Sequence, residues 1–234
     1  LLGGVVLQLL AWPWDRTRRV ALRVNHLLWG RALFALQPGW PTTWAGTEDL
    51  GQGPYIVVAN HTSVLDIPVC MGLPLPLRVM AKRSLMRVPL MGWYLRFSGQ
   101  IPIDASSPAS VQEAMEACLR TVDSGISVLI FPEGTRSESA ELRRFQRGAF
   151  RLSKDTGVPV LPVAILGTHR VVPKGRIIPQ ELLHHIAVRV LRPVDPENFS
   201  TARKMSNRVF TQISEELEVL RRADEPAIEV PRAH

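Results

Sequence analysis

Apolar positions along this chain fall into short solid runs separated by stretches with helical spacing. Residues 55–59 (YIVVA) follow Gly53-Pro54 and predict a buried strand, and 127–131 (SVLIF) predict a second. Residues 160–165 predict a third, in which Pro162 implies an edge position or a bulge. Ile186, Val188 and Val190 alternate and predict a fourth, and 78–80 read as a brief extended piece. Between them lie helical patterns. One covers 63–71 with a possible kink at Pro68. Another opens with Ser107 as N-cap and Pro108 at the first helical position, carries a stripe of Val111, Met115, Cys118, Leu119 and Val122, and ends at Gly125. A third covers 148–155 and stops at Gly157, and Met205, Val209, Ile213 and Leu217 recur every four residues in a C-terminal helix. Strand–helix alternation of this kind predicts an α/β sandwich.

The first 44 residues have a different texture. Residues 1–14 (LLGGVVLQLLAWPW) are almost wholly apolar. A bilayer span needs roughly 20 residues, so the run reads as a truncated spanning helix, a signal-like stretch or a helix buried at a surface. No charged region precedes it and no small-x-small site follows, which disfavours a signal peptide. Residues 16–36 then predict an amphipathic helix, with Arg16, Arg19, Arg23 and His26 on one face and Val20, Val24, Leu27 and Leu28 on another. Trp12, Trp14, Trp29, Trp40 and Trp44 fall in this region, five of the six tryptophans. Tryptophan with arginine beside an apolar helix suits a phospholipid headgroup interface, and a helix pair docked on its own core is the alternative. The expected organisation is a membrane-associated helical segment over 1–44, an α/β domain over 45–222 and a polar tail over 223–234.

Composition narrows the function. With 46% hydrophobic and 21% charged residues in 234, the chain is neither disordered nor collagen-like. Its formal net charge of +7 points to an anionic partner. No helix-turn-helix, ribonucleoprotein or zinc spacing accompanies that charge, so nucleic acid is not the expected partner. Cys70 and Cys118 are expected to be buried free thiols, since two cysteines build neither a disulfide framework nor a cysteine-rich metal site.

Two constellations carry chemistry. Asn60-His61-Thr62-Ser63-Val64-Leu65-Asp66 follows the first buried strand, where α/β sheets hold their ligands. Inside one helix His61 and Asp66 would diverge by roughly 140°. They meet only if His61 sits on an entry turn and Asp66 points back from the first helical turn. Such a pair would fix the imidazole tautomer and raise its basicity, as a general base requires. Phe131-Pro132-Glu133-Gly134-Thr135-Arg136-Ser137 follows the second strand. Pro132 and Gly134 impose an irregular loop, Arg136 suits phosphate and Glu133 suits hydroxyls. Arg143, Arg144, Arg147 and Arg151 add positive field downstream. The loop lacks a P-loop lysine position. Residues 71–77 read either as an acyl pocket or as plain core.

Residues 55–165 resemble the glycerolipid acyltransferase superfamily, best the bacterial 1-acylglycerol-3-phosphate acyltransferases. The resemblance rests on ordered blocks: NHTSVLD (60–66), GQIPID (99–104), FPEGTRS (131–137) and VPVLPVAI (158–165), with Lys82-Arg83-Ser84-Leu85 between the first two and FQRGAF (145–150) after the third. It implies a central mixed sheet flanked by helices, and it likens the Trp-rich segment to the family's membrane-dipping helix pair. It further implies that His61, oriented by Asp66, takes the proton from a lysophospholipid hydroxyl, which attacks the thioester of acyl-CoA or acyl carrier protein. Neither cofactor nor metal is implied. Lys82 or loop amides would face the oxyanion, and Glu133, Gly134, Thr135 and Arg136 would hold the glycerol-phosphate head.

One departure qualifies the acceptor. The family's second block usually ends Ile-Asp-Arg, whereas here Asp104 is followed by Ala105 and Ser106. Arg83, Arg87 or Arg147 would take the arginine's task, and these with Asp104 are the candidate contacts to the acceptor phosphate or the acyl donor; otherwise the acceptor is another lysolipid, such as lyso-ornithine lipid. A non-catalytic lipid-binding relative is the remaining alternative. The expected location is the cytoplasmic face of a bacterial inner membrane, monotopic or with the truncated N-terminal span.

Overall fold

The computed structural model of the chain describes residue 22 and residues 28–224, apart from 49, 52, 90, 139, 140 and 177. The run over 1–14, the cationic face Arg16, Arg19, Arg23 and His26, and the tail beyond 224 lie outside the described residues.

Seven strands form one sheet in the order β1-β7-β6-β2-β5-β3-β4. They are β1 (Thr42–Ala45), β2 (Ile56–Ala59), β3 (Leu77–Lys82), β4 (Ile101–Ile103), β5 (Ser127–Ile130), β6 (Val160–Leu166) and β7 (Ile186–Val190). β6, β2, β5, β3 and β4 run parallel, and β7 runs antiparallel to β6, so the sheet is mixed. Every residue of β2, β5 and β6 is buried. That is why these strands are solid apolar runs, since a parallel strand is covered on both faces.

The helices used below are α1 (Asp66–Met71), α2 (Met91–Phe97), α3 (Pro108–Asp123), α4 (Gly148–Thr156), α5 (Thr168–Val171) and α6 (Ala202–Asp224). α3, α4 and α6 cover one face, where Val58, Ile130, Cys118, Phe150, Met205 and Val209 share a core. α1 lies in the opposite layer, where Val57, Leu129, Cys70, Leu73, Leu75 and Leu77 share a second core with Phe34 and Trp40. Leu73, Leu75 and Leu77 are at most 1% exposed and therefore belong to packing.

Several local expectations shift. Pro162 lies in the interior strand β6, and of the two readings it is the bulge that occurs. Between the pairs Val163↔Val190 and Val160↔Val194, residues 161–162 face residues 191–193. The Pro162 carbonyl accepts from the Leu191 amide, while its missing N–H falls where the ladder is already interrupted. Pro68 sits in the first turn of α1, where no intrahelical donor is lost. On α3 the buried positions are Ser110, Ala114, Cys118, Thr121 and Val122, and Leu119 is 39% exposed. The interior face can hold Ser110 because its hydroxyl accepts from the Asp104 amide at 2.9 Å and from Arg83 at 3.0 Å. The Ser107 cap is present, accepting from the Ser110 amide, and Gly157 closes α4 at φ 71°. Cys70 and Cys118 are both buried free thiols.

The sheet reaches back past residue 45. β1 pairs with β7 from Thr42↔Ile186 to Ala45↔Arg189, so the expected boundary after residue 44 runs through a strand. Two of the five N-terminal tryptophans serve the domain itself. Trp40 is buried and donates to the Glu181 carbonyl. Trp44 donates to the Val69 carbonyl and carries the Arg31 guanidinium 4.5 Å above its ring.

Candidate active site

The register sets the site. Val58 pairs with Ile130 of β5, and Ala59 pairs with Val163 of β6. The loops that leave the carboxyl ends of β2, β5 and β6 therefore emerge side by side. Asn60 clips the first of them down. Its side-chain amide donates to the Ile165 carbonyl at 2.9 Å, and its oxygen accepts from the Ile165 amide at 2.8 Å.

His61 and Asp66 meet as the turn geometry requires. A turn over 62–65 precedes α1, and Asp66 is the first helical residue. The Asp66 Oδ2 lies 2.8 Å from His61 Nδ1 and accepts from the Thr62 and Ser63 amides at 2.7 and 2.8 Å. Its Oδ1 accepts from the Thr168 hydroxyl at 2.6 Å. Asp66 is fully buried while the His61 side chain is 15% exposed. These contacts hold the proton of neutral His61 on Nδ1 and leave Nε2 as the accessible base. The Phe131 ring stacks on the imidazole with centroids 3.9 Å apart and an interplanar angle of 16°. The ring thus fixes the plane that the carboxylate orients.

The second loop is bound to the first. Glu133 is buried, and its Oε1 accepts from the His61 amide at 2.8 Å while Oε2 accepts from the Arg143 amide at 3.0 Å. Its carboxylate is thus a staple between three loop segments. Burial pushes its pKa above the ordinary glutamate value, with the two amides opposing that shift. The Ser137 amide donates to the His61 carbonyl at 2.8 Å. Gly134 adopts φ 74°, and a β-carbon there would run into the Gln146 side-chain amide. Thr135 is exposed and Arg136 half-buried on the same loop. Arg136 has no ion pair or side-chain hydrogen bond among the described residues.

The remaining candidates spread along the edge. Lys82 ends β3 and is exposed. β5 stands between β2 and β3, so Lys82 is about 10 Å from the dyad's strand across the sheet. Arg87 is exposed in the 3-10 turn Arg83–Arg87. Arg83 is tied to Glu113 at 2.8 Å as well as to Ser110, so its guanidinium serves α3. Asp104 follows β4, one strand further out. Its carboxylate accepts from the Ser106 hydroxyl and amide, and these bonds hold its pKa below the usual value. Arg147 immediately precedes α4 and faces a groove beside α6. The structure thus gathers His61, Asp66, Glu133 and the 134–136 loop, and leaves Asp104 and Arg147 apart from them.

Sequence spacing missed two members of the site. Thr168 lies 102 positions from the carboxylate it donates to. Phe131 reads as the last residue of a strand, and nothing local marks its ring as the imidazole's neighbour.

A buried carboxylate, an oriented imidazole with one open nitrogen and an adjacent cationic loop stand together at the carboxyl edge of an α/β sheet, an arrangement able to do general-base chemistry. The chain belongs to the acyltransferase family, whose model matches residues 42–166. It is 34% identical over 179 residues to a chloroplastic 1-acyl-sn-glycerol-3-phosphate acyltransferase of Brassica napus, covering 76% of this chain and 51% of that protein. The Arabidopsis thaliana counterpart is 30% identical over 221 residues, 92% of this chain and 60% of that one. The chain therefore spans about half to three fifths of the length of these curated relatives. The crystal structure of the 1-acyl-sn-glycerophosphate acyltransferase PlsC from Thermotoga maritima superposes with a TM-score of 0.73 at 28% identity, covering 86% of this chain and 80% of that one.

Proposed function

We propose that the chain is a membrane-associated O-acyltransferase that moves a fatty acyl group from acyl-CoA or acyl carrier protein to the free hydroxyl of 1-acyl-sn-glycerol-3-phosphate. The observation that carries this reading is the His61–Asp66 dyad, with Nδ1 held at 2.8 Å and Nε2 turned outward. His61 Nε2 takes the proton as the acceptor oxygen attacks the thioester carbonyl. The tetrahedral intermediate then collapses, the carbon–sulfur bond breaks, and the imidazolium returns the proton to the departing thiolate. The buried Asp66 carboxylate stabilises that imidazolium. Arg136 meets the acceptor phosphate on the exposed side of the loop, and Lys82 or loop amides face the developing oxyanion.

Membrane association is supported by where exposed apolar side chains collect. Leu85, Val88 and Trp93 follow the carboxyl end of β3, and Ile178, Leu182 and Leu183 lie between α5 and the start of β7. β7 runs antiparallel to β6, so both groups flank the edge that carries His61. Arg87, Arg170 and Arg176 are exposed among them, a mixture that favours an anionic headgroup layer. Among the described residues no helix is long and apolar enough to cross a membrane.

A lysolipid panel, incubated with acyl-CoA or acylated carrier protein and read by product mass, tests the reading. Phosphatidic acid from lysophosphatidic acid is expected, with His61→Ala lowering turnover by ~10²-fold or more. Acylation confined to another lysolipid head group would replace the acceptor assigned here. His61→Ala activity within tenfold of wild type would remove the general-base role.

A further inference from the structure

The mechanism leaves one concave, strongly cationic surface unused. A groove of about 550 Å³ lies between residues 144–147 and the first turns of α6. It is lined by Arg144, Arg147, Arg203, Lys204, Asn207 and Phe210, among others, and no acidic side chain lines it. Its four cations form no ion pair or side-chain hydrogen bond among the described residues. Arg203 and Lys204 open a helix whose first turn holds no acid. The helix dipole disfavours cations there, so helix stability does not account for them. Phe210 is packed edge to face on Phe145 with centroids 5.2 Å apart, which makes the apolar wall rigid.

The groove stands apart from the dyad but is tied to the loop that carries Glu133. The segment that forms one wall is joined to the catalytic loop at both ends, through the Arg143 amide on Glu133 and the Gln146 amide on the Pro132 carbonyl at 2.8 Å.

We propose that this groove binds the phosphorylated nucleotide end of coenzyme A, the water-soluble end of the acyl donor. This rests on the acyl-transfer reading above and selects among its donors. The 3′-phosphate and diphosphate match the four cations, since charge-assisted bonds from guanidinium to phosphate are strong and directional. Phe210 and Asn207 offer the base an apolar wall and an amide. The volume falls within the ordinary range of small-molecule sites, and the concave shape suits a nucleotide better than the helical surface of a carrier protein.

Titration calorimetry of the whole chain with adenosine 3′,5′-bisphosphate reads the groove without turnover. Binding is expected, with no comparable binding of adenosine. The double variant Arg203→Gln/Lys204→Gln should weaken it about tenfold or more, and Arg203→Lys/Lys204→Arg should retain it. In turnover, the glutamine variant should raise KM for palmitoyl-CoA by about tenfold, with kcat and the KM for lysophosphatidic acid within about twofold. Absent bisphosphate binding, or equal binding by the glutamine variant, overturns the groove assignment even where transfer from acyl-CoA is normal. Transfer from carrier protein alone, with KM for that protein raised in the variant, overturns it in favour of protein docking. Bisphosphate binding lost in the glutamine variant, with no acyl transfer from any donor, supports the groove and overturns the function assigned above.

Discussion

Replacing Asp66 by Asn isolates the electrostatic part of the dyad. The Thr62 and Ser63 amides both donate to Oδ2, so they force the new amide oxygen into that position. The new amide nitrogen then faces Thr168, whose hydroxyl can accept in place of donating. His61 Nδ1 keeps an acceptor, and tautomer and orientation are preserved. What disappears is the negative charge opposite the imidazolium. With charge centres about 4 Å apart and an effective dielectric of about 20, that attraction is about 4 kcal/mol. Its loss corresponds to about 10³-fold in kcat. Thiol release at saturating lysophosphatidic acid and acyl-CoA measures the rate, and urea unfolding measures the fold. Because four charge-assisted hydrogen bonds become neutral ones, stability should fall by about 1–3 kcal/mol while the protein stays folded. A kcat within tenfold of wild type in a folded Asp66→Asn protein would refute the reasoning, because the carboxylate would then merely hold a loop.

Other perturbations separate the supports of the site. Thr168→Val leaves Asp66 Oδ1 without its buried donor and should lower unfolding free energy by about 1–3 kcal/mol, with a smaller kcat loss than Asp66→Asn; unchanged urea midpoints would show that the hydroxyl holds nothing. Glu133 has a raised pKa, so just above the ordinary glutamate value the folded state binds more protons than the unfolded one. Wild type should therefore lose stability relative to Glu133→Gln as pH rises through that window, and a difference constant with pH would contradict the burial of this carboxyl. Leu182→Asp/Leu183→Asp and, separately, Trp93→Glu should each reduce sedimentation with anionic liposomes while leaving thermal unfolding in place. Sedimentation equal to wild type in both would remove this edge as the lipid-facing surface.

Much of this architecture is local information. Runs such as IVVA and VLPVAIL are buried on both faces, so any register of parallel packing keeps them inside, and the sequence alone identifies them as strands. Met205, Val209, Ile213 and Leu217 are all buried on α6, because a four-residue recurrence leaves a helix one apolar side. His61 and Asp66 are also legible, since a turn and the first residue of a helix bring them together over five positions. Short elements escaped that reading. β1 (TTWA) and β4 (IPI) are strands only because neighbouring strands pair with them, and α2 carries no period that marks it. Only the tertiary structure brought Thr168 to Asp66 and Phe131 onto the imidazole, and only it showed Glu133 clasping neighbouring loops. It also divided the tryptophans, drawing Trp40 and Trp44 into the domain. Periodicity reports which side of an element is apolar. The partners of a buried polar group are set by strand order and register, which bring residues a hundred positions apart within hydrogen-bond reach.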